Sequence, residues 1–98
     1  MEINIQALRA RLPDSQVLGR YQTVARLLTG DDRADAGAGV AWVYNLRQEL
    51  GIPPLHSYGF TNGDIPGLVE KAAKASSMKG NPIQLTTKEM ELIMERGL

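Results

Sequence analysis

Four groups of residues in this 98-residue chain have types that do chemistry elsewhere, and their spacing decides what each can do. His56 is the only histidine, followed by Ser57. A catalytic base needs a partner that orients it, and a metal site needs further ligands. Neither lies nearby in sequence, and no GxSxG elbow surrounds Ser57. The acidic run Asp31 to Asp35 does not have the alternating carboxylates of a calcium loop or the glutamate at its twelfth position. Gly37 and Gly39 imitate the start of a phosphate-binding GxGxxG. No strand precedes them, and Trp42 stands where the third glycine is needed for close packing. Lys79, in the turn Lys79-Gly80-Asn81-Pro82, is one cation without a partner motif. The residues themselves therefore yield no catalytic, cofactor-binding or metal-ligating set. Trp42, Tyr44 and Tyr58 are the only hint of a small-molecule pocket, which between helices would be mainly apolar.

The elements that would position these groups read as helices. Met1, Ile5, Leu8 and Leu12 are spaced for one face of a first helix over residues 2 to 12, which Pro13 stops. Asp14 or Ser15 caps a second, with Val17, Leu18, Tyr21, Val24, Ala25 and Leu28 in one stripe and Arg20, Gln22, Thr23 and Arg26 opposite. Gly30 ends it. A third runs from Asp35 or Ala38 to Leu50, burying Gly39, Trp42, Val43, Leu46 and Leu50, and Gly51 closes it. Pro53 and Pro54 then force an extended connection. Thr61 and Asp64 form a capping pair for a fourth helix that tolerates Pro66 in its first turn. There Ile65, Leu68, Val69, Ala72, Ala73 and Ser76 share a face, opposite Glu70, Lys71 and Lys74. Thr86 and Glu89 open a fifth, with Met90, Ile93 and Met94 inward. The expectation is an all-α fold: a compact bundle of about five short helices, one domain over residues 1–98. Ile3, Leu27 and Leu92 fall outside the stripes, and if they converge they mark an interface.

Composition narrows the function classes. Eleven basic and eleven acidic residues cancel, so no field draws nucleic acid or an anionic membrane. One tryptophan, three tyrosines and one phenylalanine are too few for a base-stacking platform. No run of about 18 apolar residues spans a bilayer, and the N-terminus lacks the order of a signal peptide. With no cysteine there is no disulfide or thiolate chemistry. The expected location is the cytoplasm.

Taken together, RYQTVARLLTGD, LRQELGIPPL, YGFTNGDIPGLVEKAAKASSMKGNPIQLT and EMELIMERGL resemble the C-terminal end of iron-containing alcohol dehydrogenases, a fold shared with dehydroquinate synthase and glycerol dehydrogenase. The likeness runs from about Arg20 to Leu98, with Asp64-Ile65-Pro66 and Ser77 to Pro82 its most distinctive parts. It implies that the nucleotide-binding α/β domain lies upstream. It also implies that the metal is held by an aspartate and histidines on helices before this region, so none of those ligands maps onto a residue here. His56 does not correspond to one of them.

With Met1 just ahead of the matched stretch, the chain is expected to be an excised piece of such an enzyme or a short reading frame descended from one. Three functions follow as expectations. The first is a free-standing, non-catalytic helical module, without cofactor, acting as a homo-oligomer (a dimer) or through a partner protein that supplies the missing domain. The second is the C-terminal part of a split or truncated NAD(P)-dependent alcohol dehydrogenase. The third is a small-molecule binding module.

Overall fold

Prolines and glycines punctuate the chain, and helices fill the intervals between them. The computed structural model describes residues 1–98. It contains five α-helices: α1 (Glu2–Arg11), α2 (Gln16–Thr29), α3 (Ala36–Glu49), α4 (Ile65–Lys74) and α5 (Thr87–Gly97). Three 3-10 turns, Leu55–Tyr58, Asn62–Asp64 and Ser76–Gly80, lie between them, and there is no strand. The all-α expectation holds. The chain divides into two compact units, Met1–Ile52 and Pro53–Leu98.

In the first unit the helix ends form as local chemistry dictates. Leu12, pushed out of helical geometry by Pro13, takes φ −137° and ends α1. The Ser15 hydroxyl accepts the Val17 N–H (3.2 Å) to open α2, and Gly30 closes it at φ 70°. The Asp35 carboxylate accepts the Ala38 N–H (2.8 Å) to open α3. Gly51, at φ 63°, follows its end. α2 and α3 pack side by side, and α1 packs on both.

Small residues make the α2–α3 contact, so the backbones approach closely. A Cβ placed on Gly39 would lie 2.8 Å from the Ala25 Cβ and 2.9 Å from its Cα. Such a close, narrow seam at Ala25 and Gly39 leaves the edges of the wider apolar stripes outside it. Val43 (43% exposed) and Leu50 (64%) on α3, expected in the core, are on the surface, as is Val24 on α2. On α1 the expected face is also revised. Because α1 has two neighbours, two adjoining rows are buried, Ile3 with Ala7 and Ile5 with Leu8. Met1 and Leu12, at the helix ends, are exposed.

In the second unit, Ile65 and Val69 of α4 and Met90 of α5 form the core, with Met78, Leu85, Met94 and Leu98 packed partly buried against it. Met90, Met94 and Leu98 repeat every four residues, one row along α5. Ile93, one position off that row, is 42% exposed rather than inward. Both capping pairs are present. Thr61 donates its N–H (2.8 Å) and its hydroxyl (3.0 Å) to the Asp64 carboxylate. The Thr61 pair spans the 3-10 turn Asn62–Asp64 that leads into α4 rather than the first turn of α4 itself. Thr86 N–H donates to Glu89 (2.9 Å), and Glu89 N–H donates back to the Thr86 hydroxyl (3.2 Å). Pro66 sits in the first turn of α4.

Candidate interaction surface

The groups with chemical potential are occupied by structural roles. His56 lies exposed in the Leu55–Tyr58 turn, where its Nδ1–H donates to the Leu98 carbonyl oxygen. In the acidic run, Asp31 accepts the Arg33 N–H (2.9 Å) and Asp35 caps α3. Gly39 serves the α2–α3 contact, which accounts for a glycine there without any phosphate loop. Lys79 borders an open groove of about 410 Å³ in the second unit, with Met78, Leu85 and Met90 beneath and Lys74, Asn81 and Gln84 around the edge. Lys74 pairs with Glu70 at 3.2 Å, and the Asn81 amide donates to the Ile83 carbonyl at 2.7 Å.

The Asp64 carboxyl has a displaced pKa. The Thr61 backbone N–H, and secondarily the Thr61 hydroxyl, hold its carboxyl below the ordinary 3.8, against a small opposing effect of burial. Those two donors stabilise the ionised form. This displacement belongs to helix capping.

The three aromatic residues considered for a pocket are not brought together. Trp42 and Tyr44 are two residues apart on α3, about 200° around the helix. Tyr58 belongs to the second unit. Of the three, Tyr44 lines a groove of about 200 Å³ between α1 and α3, together with Met1, Glu2, Val40, Val43 and Arg47. Its hydroxyl donates to Glu2 at 2.9 Å. The Arg47 guanidinium stands 5.9 Å from its ring centroid, within cation–π range. A second depression of about 200 Å³ shares Glu2 and Val40 and continues along Ile5, Gln6, Arg9 and Gly37.

The three expected interface residues also separate. Ile3 is only 5% exposed, held in the second packed row of α1 one turn ahead of Ala7, so it is a core residue and not an interface candidate. Leu27 is 79% exposed on the outer side of α2, one turn after the exposed Val24. Leu92 is half-buried on α5. The exposed apolar line that sequence reasoning missed is Val43 and Leu50 on α3 with Met1 and Tyr44 beside it. Its signal lies in the sequence, where Val43 and Leu50 belong to the apolar stripe of α3. A stripe wider than its neighbours can cover looks the same in sequence as a fully covered one.

The sequence profile of the Fe-containing alcohol dehydrogenase family, C-terminal part, matches residues 1–98. The chain belongs to this family. The match extends the likeness from Arg20 back to Met1, so α1 is part of the family's region as well. Comparison with curated proteins and with solved structures returned no match. The iron of the family's name has no fitting residues in this chain, since nowhere do three His, Cys, Asp or Glu side chains gather that could hold a metal ion. No metal-dependent step is assignable to its side chains. No helix is long and apolar enough to cross a membrane.

Proposed function

We propose that this C-terminal helical region of the iron-containing alcohol dehydrogenase family acts as a non-catalytic association module in the cytoplasm, self-associating as a dimer. The observation that carries the reading is the line of exposed Met1, Val43, Tyr44 and Leu50 in the first unit. Fully burying a large aliphatic side chain contributes about 1.5–3 kcal/mol. Three such groups beside the Tyr44 ring are an incentive to associate, and a twofold pair is the commonest solution. Sedimentation velocity from micromolar to millimolar concentration tests this. The sedimentation coefficient is expected to rise toward that of a dimer, and a constant monomer value overturns the reading.

Membership of the family supports a second reading, in which the same surface docks on a separate chain that carries the nucleotide-binding and metal-binding parts. The residues for hydride transfer would then all come from that chain. Co-expression with the N-terminal portion of a full-length family member tests it. An increase in NAD(P)-dependent alcohol oxidation on adding this chain is the expected result. No complex and no gain in turnover count against it.

A further inference from the structure

We infer that Met78, in the groove of the second unit, is a site of reversible oxidation by peroxide, and that its sulfoxide opens the core at Met90 to the same chemistry.

The chain has four methionines and no cysteine, so its oxidisable sulfur is all thioether. Three of the four, Met78, Met90 and Met94, pack with Ile65, Val69, Leu85 and Leu98 in the core of Pro53–Leu98. Met78 and Met90 also border the open groove of about 410 Å³, a space that hydrogen peroxide can enter. Met78 is half-buried there, whereas Met90 is only 7% exposed. Met78 therefore meets the oxidant first. Its sulfur lone pair displaces hydroxide from the peroxide O–O bond and the S–O bond forms. The hydroxide takes the remaining proton from the sulfur-bound oxygen and leaves as water. Sulfur is oxidised by two electrons and the peroxide is reduced by two.

The product no longer suits its place. A sulfoxide oxygen is a hydrogen-bond acceptor, and burying an acceptor without a donor is costly. Every buried side chain of the second unit, Ile65, Val69, Ile83 and Met90, is apolar. Donors stand on the groove side, where Lys74 and Lys79 border it beside open solvent. The oxidised side chain is thereby drawn away from the core. Little in the backbone resists this, because Met78 sits in the 3-10 turn Ser76–Gly80, which is held by short-range bonds. Its N–H donates to the Ala75 carbonyl (3.0 Å), and its own carbonyl accepts the Asn81 N–H (3.1 Å). Departure of Met78 uncovers Met90, and peroxide then reaches that sulfur. A sulfoxide at Met90 is set against Ile65 and Val69, which offer no side-chain donor, so the packing of α4 on α5 loosens.

Peroxide oxidation of the full chain tests this, followed by peptide mass spectrometry and by thermal melts in circular dichroism. Met78 is expected to gain oxygen before Met90, and the melting temperature to fall by about 5–10 °C once Met90 follows. Met78→Leu conserves volume and stays packed when peroxide is added, so it keeps the route closed. In that variant, with dichroism unchanged before oxidant, Met90 is expected to oxidise about ten-fold more slowly, since it then waits on local opening. Reducing the wild-type sulfoxides with the two methionine sulfoxide reductases is expected to restore the melt. Met90 oxidised ahead of Met78, or as fast in Met78→Leu as in wild type, overturns the inference. So does a melting temperature that stays unchanged with both sulfoxides formed, or one that stays low after both are reduced.

Discussion

Gly39 and Gly19 are both glycines inside helices, and their surroundings assign them opposite effects. At Gly39 an added methyl group meets Ala25 Cβ at 2.8 Å and Cα at 2.9 Å. The second atom is backbone and cannot rotate away. Overpacking of this kind costs about 1–3 kcal/mol, while the gain in helix propensity from Gly to Ala returns at most about 1 kcal/mol. Gly39→Ala is therefore expected to destabilise the first unit in urea titration. At Gly19, within α2, nothing lies within 4 Å of the added carbon. Gly19→Ala is expected to stabilise by about 0.5–1 kcal/mol, the propensity term alone. A loss of stability at Gly19, or a gain at Gly39, would contradict the packing described.

Helix ends are the next scale, and here short sequence patterns carried most of the structure. Thr86→Ala removes the hydroxyl that accepts the Glu89 N–H, and the expected loss is about 1 kcal/mol. Amide exchange at Glu89 should quicken accordingly. The Thr61–Asp64 box adds a pH dependence with a definite sign. The Asp64 carboxyl titrates below 3.8 in the folded chain and near 3.8 once unfolded. Its contribution is thus complete above about pH 4 and is lost as pH falls through the lower folded value. Thermal melts of wild type and Asp64→Asn are expected to differ at neutral pH and to converge below 3.8. Ser15, Gly30, Asp35 and Thr86 were readable because a cap is settled within four residues. Val43, Leu50 and Ile93 were not, because their burial depends on how far a neighbouring helix extends. The groove between α1 and α3 escaped for the same reason. Tyr44 and Glu2, 42 positions apart, meet only through tertiary packing.

For the whole molecule, the position of an exposed apolar side chain matters more than its exposure. Leu27 is the more exposed of the two at 79%, yet only Val24 is exposed beside it on α2, whereas Val43 at 43% has exposed Leu50, Tyr44 and Met1 around it. Introducing glutamate at each separates the cases. Val43→Glu is expected to reduce association at least ten-fold, since it puts a charge in the middle of the apolar line. Leu27→Glu is expected to leave both association and stability within about 0.5 kcal/mol of wild type. Sedimentation of the two variants side by side decides this, and equal behaviour would remove the distinction between an isolated side chain and a contact surface.

Trp42 has a practical consequence. It is the only tryptophan, it sits half-buried on α3, and the Pro53–Leu98 unit has no indole at all. Red-edge excited fluorescence is therefore a private optical reporter of Met1–Ile52, while the far-ultraviolet dichroism sums the helices of both units. Recording the two signals on one sample during denaturation would time the loss of each half of the chain without a single label being attached.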